Sequence, residues 1–135
     1  MPPLTRWFIK AALVYFVAAL GLGILLQSPL RELPALRVAW PTYVHILVLG
    51  WLTQLIFGVA YWLFPRYSAE RPRGSDRLGW ASFALLNAGL VLRIIGEPMA
   101  TLGNNAGGLL VASAVTQFLA GMAFVGNTWP RTRER

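Results

Sequence analysis

A chain of 135 residues that is 56% hydrophobic and only 13% charged, with a mean hydropathy of +0.55, is too apolar for a soluble domain, where about 25% of residues are charged. Its net charge of +7 would suit a nucleic acid, but the basic residues cluster between apolar runs, which points instead to basic loops against anionic lipid. The absence of cysteine excludes disulfides, thiol catalysis, cysteine-ligated iron–sulfur clusters and c-type haem attachment.

Four apolar runs, at about 7–27, 41–64, 77–96 and 107–129, are long enough to cross a hydrocarbon core roughly 30 Å thick. They predict an all-α protein: an integral membrane antiparallel four-helix bundle, one domain with short loops. Pro2, Pro3, Pro29, Pro34, Pro41, Pro65, Pro72, Pro98 and Pro130 are expected outside these helices or at their edges. An interior proline would remove a backbone hydrogen bond and clash with the preceding turn.

The first helix starts with Arg6 and Lys10, as a signal peptide would. Its apolar run exceeds the about 7–15 residues of such a peptide, and Gln27, Ser28 and Pro29 offer no small-residue cleavage site. It is expected to be retained. The loop after it is moderately polar, with Arg31, Glu32 and Arg37.

The second helix, PTYVHILVLGWLTQLIFGVAYWLF, holds the single histidine, His45. A bilayer makes an imidazole expensive, so one that persists there is expected to have a partner or a ligand. At about 100° per residue, Gly50, Gln54, Gly58 and Tyr61 lie roughly 140–220° away from it. Gly50 and Gly58 are expected to mark a tight packing seam. His45 shares its side with Val48, Leu49, Leu52 and Ile56, a stripe suited to a porphyrin, to lipid or to another helix.

The loop PRYSAERPRGSD reads as solvated, and EPMATLGNNAGG as a tight connection between helices three and four. Gln54, Asn87 and Gln117 sit near the midpoints of helices two, three and four. That layer is expected to hydrogen-bond between helices, or to line a quinone contact, a proton path or a cofactor pocket. Arg93 and Glu97, four apart on one face of helix three, form a candidate ion pair at the depth of His45. Arg93 is expected either to snorkel with Glu97 toward headgroups or to bind the propionates of a haem.

Charge placement predicts topology. Arg6, Lys10, Arg66, Arg71, Arg73, Arg77, Arg131, Arg133 and Arg135 would share one side, leaving Arg31 and Arg37 on the other. This asymmetry puts both termini in the cytoplasm of a multi-pass inner-membrane protein. Trp7, Trp62, Trp80 and Trp129 would form a belt on that side and Trp40 on the other, with Trp51 in the interior of helix two.

The run HILVLGWLTQLIFGVAYWLFPR, with His45, Gly50, Trp51, Ile56–Ala60 and Phe64–Arg66, resembles a helix of the haem–copper oxidase subunit I superfamily. It is most similar to short four-helix relatives of the cbb-type catalytic subunit. LLNAGLVLRIIGEP, with Asn87, Gly89, Leu92, Arg93 and Pro98, also resembles those relatives, and is similar to haem- and copper-containing membrane proteins of the nitric oxide response. The resemblance implies haem b with His45 as an axial ligand of the iron. It departs from the full-length pattern in having four helices instead of about twelve, and one histidine. No complete haem–copper catalytic centre can be built from this chain alone. A second axial ligand would come from another copy, or from Met99 or Met122, and ligation by His45 alone is also open.

Two functions therefore compete. One is a small haem b-binding protein of respiratory electron transfer or diatomic-gas sensing, with His45 and Arg93 as cofactor-binding residues. The other is a cofactor-free membrane subunit or assembly factor of a respiratory complex. The expected partners are the bilayer, a second copy or respiratory subunits, and no nucleic acid. Transport is disfavoured because no helix breaks at mid-depth, and hydrolysis because His45 has no Ser–Asp or Cys partner at its depth.

Overall fold

A computed structural model describes residues 1–132; Arg133 and Arg135, counted above on the basic side, lie outside the described residues. Four long helices form: α1 (Pro3–Gln27), α2 (Trp40–Leu63), α3 (Asp76–Thr101) and α4 (Gly107–Thr128). Each is long and apolar enough to cross a membrane. Among the described residues there is no strand, so the all-α bundle expected from the apolar runs is what forms. Two short helical turns, Pro29–Glu32 and Pro34–Arg37, connect α1 to α2. A 3-10 turn, Trp129–Thr132, follows α4.

Neighbouring helices run antiparallel. Between α1 and α2, Phe8 meets Gly58, Tyr15 meets Gly50 and Tyr43 meets Gly23, so residue numbers rise on one helix as they fall on the other. Ser113 donates to the Gly89 carbonyl and Ser82 to that of Ala120, which sets the same sense for α3 and α4. Thr42–Glu97, Gln54–Asn87 and Tyr61–Asp76 do so for α2 and α3. The core draws on all four helices: Leu4 and Phe8 from α1, Tyr61 from α2, Leu86 and Leu90 from α3, and Ala120 from α4. Phe57 of α2 stacks on Phe124 of α4, ring centres 3.8 Å apart. Only 11% of the most apolar stretch of α1 or α4 is buried, against 28% for α2 or α3, so α1 and α4 carry most of the outward apolar surface. Trp51, expected in the interior, packs on Phe16 of α1.

The anticipated glycine seam is present and faces α1. A Cβ at Gly58 would lie 2.7 Å from Phe8 Cβ, and one at Gly50 would lie 2.7 Å from the Tyr15 ring. Such approach is how small residues let membrane helices pack through their backbones. Gly58→Leu is therefore expected to cost about 1–3 kcal/mol by overpacking. The check is reversible unfolding in mixed micelles, beside Gly21→Leu as a control at a site with open space around it.

Two local features depart from the expected helices. The third helix does not stop at 96 but runs through Pro98 to Thr101, with proline inside its last turn. The lost proline N–H removes one hydrogen bond near an end where several carbonyls already lack intrahelical donors. Glu97 thereby sits on ordered helix.

The second departure is larger. Ile46–Thr53 is π-helical, between α-helical segments Trp40–His45 and Gln54–Leu63. With i→i+5 bonding each residue turns by only about 80° instead of about 100°. Over the segment the lag reaches roughly 150°, which moves Gln54, Gly58 and Tyr61 from the side opposite His45 to near its own. The expected 140–220° separation is thus corrected, since it assumed α geometry throughout. Thr42, Ile46, Gly50, Gln54, Gly58 and Tyr61 form one buried line. The segment also rises less per residue: Thr42 and Gln54 are twelve residues apart on α2, while their partners Glu97 and Asn87 are ten apart on α3.

The basic end of the bundle is closed by side chains that composition alone would assign to lipid. Arg131 is 2% exposed. It donates to the carbonyls of Tyr61, Phe64 and Pro65 at 3.0, 2.7 and 3.0 Å, and its guanidinium lies over the Tyr61 and Phe64 rings. Arg73 donates to the Trp62 carbonyl. The unpaired carbonyls that end α2 are capped by two cations, which also suit the negative end of the helix dipole. Asn127 of α4 accepts from the Ser75 amide at 2.7 Å, holding the turn at Gly74, whose φ of +79° favours glycine.

Candidate functional site

Near the opposite end of the bundle, α2 and α3 bring four polar side chains together. Proline at its first turn starts α2, and the α-helical turn Trp40–His45 places Thr42 and His45 on the α3 side. On α3, Arg93 and Glu97 are one turn apart and face back. Glu97 is the hub. Its Oε2 accepts from Thr42 Oγ1 at 2.9 Å. Its Oε1 lies 2.8 Å from His45 Nδ1 and 3.9 Å from Arg93 Nη1.

The histidine is oriented by a backbone carbonyl, with the Glu97 carboxylate beside it. Nδ1 is also 2.9 Å from the Pro41 carbonyl, one turn back on its own helix. Carbonyl and carboxylate oxygens only accept, so Nδ1 carries the proton and donates it to the Pro41 carbonyl, with Glu97 Oε1 beside it as an ion-pair contact. In the neutral imidazole Nε2 is then the nitrogen with the free lone pair, and no hydrogen bond to it is formed among the described residues. The Glu97 side chain is 8% exposed, that of Arg93 18% and that of His45 31%, so the imidazole is the open member of the cluster.

His45, Arg93 and Glu97, singled out at one depth, do meet. The ion pair of Arg93 and Glu97 is present but long, and Arg93 Nε is buried without a hydrogen-bond partner. Arg93 faces Glu97 across one turn of α3. The stripe assigned to the histidine divides: Val48, Leu52 and Ile56 are exposed, whereas Leu49 packs on the core. Met99 lies two residues beyond Glu97 on α3. Met122 lies two residues past Ala120, which pairs with Ser82, and so falls toward the basic end, away from His45.

The mid-depth layer forms in part. Asn87 Nδ2 donates to Gln54 Oε1 at 3.0 Å, the second rung between α2 and α3. Gln117 turns back to Ser113 on its own helix, 3.1 Å away, and packs on Gly89. Thr42 was missed. Its signal was the spacing Thr42-x-x-His45, which puts both on one helical face.

A donor set for haem can be tested on these residues. A metal-bound imidazole ordinarily donates its other N–H to a carboxylate or carbonyl, which fixes the tautomer and ring orientation. His45 turns Nδ1 to the Pro41 carbonyl with Glu97 beside it. Arg93, on the adjoining helix, keeps its Nε buried, so only its terminal nitrogens could meet a further carboxylate. The donor set offers one nitrogen suited to an axial position and one guanidinium near it. Among the described residues there is no group of three His, Cys, Asp or Glu side chains able to hold a bare metal ion.

Fold and site thus define a class: a four-helix bundle of membrane-spanning length, with a histidine–glutamate–arginine–threonine cluster at one end of its α2–α3 interface. Comparisons with protein families, curated proteins and solved structures find no match to this chain.

Proposed function

We propose that this chain is a small haem b-binding membrane protein in which His45 offers Nε2 as an axial ligand and Arg93 receives a propionate. The observation that carries this reading is the hydrogen bond of His45 Nδ1 to the Pro41 carbonyl beside the Glu97 carboxylate, with the other nitrogen unbonded on an imidazole 31% exposed. Bound haem would supply one-electron exchange or a site for a diatomic gas. The chain's own part is to fix the histidine tautomer, offer Arg93 to the propionate and border the site with Val48 and Leu52. The likeness of 45–66 to an oxidase subunit I helix supports the same assignment. A second copy would bring a second His45, because the imidazole is the exposed member of the cluster. The charge asymmetry supports an inner-membrane protein with both termini in the cytoplasm.

A second reading has its own observation. Both oxygens of Glu97 are already engaged by α2, so the cluster also serves as an interhelical lock. In that case the protein is a cofactor-free subunit or assembly factor of a respiratory complex.

Equilibrium titration of the detergent-solubilised protein with haem, followed at the Soret band, separates the two. Tight one-to-one binding that weakens at least tenfold in His45→Ala is expected, with unfolding curves showing the variant still folded. Binding of equal strength in the variant would remove His45 as the ligand. If it is the second copy that supplies the other ligand, haem-loaded dimer will be lost in His45→Ala, as read by sedimentation.

A further inference from the structure

Away from His45, the last turns of α1 and the first turn of α2 enclose a groove of about 610 Å³, within the roughly 300–1,000 Å³ of small-molecule sites. Its walls are mostly apolar: Leu20 and Ile24 of α1 face Trp40 and Tyr43 of α2, whose rings lie 5.4 Å apart. Gly23 forms part of the floor, where a Cβ would press on the Tyr43 ring at 3.3 Å. At its mouth the groove shares Leu26, Gln27 and Trp40 with a second cavity of about 380 Å³, which adds Arg31, Glu32 and Arg37.

The charges at that mouth leave an excess of one positive. Arg31 meets Glu32 through Nε at 3.4 Å and Arg37 through Nη2 at 2.6 Å. The other guanidinium N–H groups form no hydrogen bond among the described residues. Trp40 stands where apolar floor meets polar rim, the position tryptophan takes at a membrane interface. An occupant of this double cavity needs an extended apolar tail and an anionic head. A zwitterionic headgroup offers the same phosphate but adds an ammonium that the arginines repel, and a flat protein face leaves the groove unfilled.

We propose that this groove is a binding site for one anionic phospholipid, an acyl chain lying between α1 and α2 and the headgroup phosphate at Arg31 and Arg37. The phosphate accepts from the uncommitted N–H groups, a geometry that suits guanidinium better than ammonium. The inference is independent of haem, because no residue of the groove belongs to the Glu97 cluster.

Native mass spectrometry of the full chain in detergent, titrated with phosphatidylglycerol or phosphatidylcholine of the same acyl chains, tests it. A single tight phosphatidylglycerol adduct is expected, at least tenfold preferred over phosphatidylcholine. That preference should fall several-fold in the double variant Arg31→Gln, Arg37→Gln and persist in Arg6→Gln, Lys10→Gln at the other end. Equal binding of the two lipids by the unaltered chain would overturn the proposal. So would a preference that follows Arg6 and Lys10, or a chain dimer that forms without lipid and excludes the adduct. The comparison on the unaltered chain decides the matter even if a variant misfolds.

Discussion

Glu97→Leu will destabilise the bundle by roughly 3–5 kcal/mol, the range for breaking a buried ion pair by removing one partner. One substitution removes a partner from three side chains, Thr42 and His45 on α2 and Arg93 on α3, of which His45 keeps the Pro41 carbonyl. The hydrogen bonds alone would account for little, since such contacts between membrane helices average about 0.6 kcal/mol. The charge decides the magnitude. Arg93 already has a buried Nε without a partner, and leucine would leave its cation with no neighbouring carboxylate. Its position about two turns from the helix end lets its long side chain relax partly toward headgroups, which favours the lower end of the range. Glu97→Gln, which keeps an acceptor for either Thr42 or His45, will cost less. His45→Ala will cost least, since Glu97 retains Thr42 and Arg93. Reversible unfolding in mixed micelles should give the order leucine, then glutamine, then the histidine variant. A Glu97→Leu protein as stable as the parent would show that the cluster is not a lock between α2 and α3.

The other large effect is expected at the opposite end. Arg131→Ala strips donors from three carbonyls, those of Tyr61, Phe64 and Pro65, and removes a cation from two aromatic faces. At about 1 kcal/mol net for each hydrogen bond, the loss is about 2–4 kcal/mol. Water at this end can solvate part of what is exposed, which keeps the figure below that for a fully enclosed charge. Arg131→Lys should restore only a fraction, because an ammonium cannot reach three acceptors from one planar fork. The same unfolding assay measures both, and loss confined to alanine with full rescue by lysine would contradict the capping role.

What was legible in the sequence follows from what each signal measures. Long apolar runs broken by proline and charged loops disclose four helices and their approximate ends, because those signals are local. Gly50 and Gly58 disclosed a seam because both are small, although in an α-helix they would stand about 80° apart and it is the loosened segment that aligns them. Depth alone brought Gln54 to Asn87 and Glu97 to His45. The π segment left no such trace: Ile46–Thr53 is apolar on every side, and hydrogen-bond phase has no compositional mark. That one omission turned the remainder of α2 by nearly half a revolution. Pro98 was taken as a terminator, although in a last turn it removes only one bond. Arg131 was assigned to lipid because charge counting cannot distinguish a cation at a headgroup from one capping a helix. Gln117 matched the mid-depth layer in height but not in direction, and so bonds its own helix.

We propose that His45 Nε2 ligates haem iron. The most direct test is the oxidised and dithionite-reduced visible spectrum of protein purified from cells supplied with haem, beside His45→Ala. The account predicts sharp reduced α and Soret bands that vanish in a variant whose helical content and unfolding curve stay near those of the parent. Unchanged bands in that variant, or a featureless spectrum from well-folded parent protein, would contradict it.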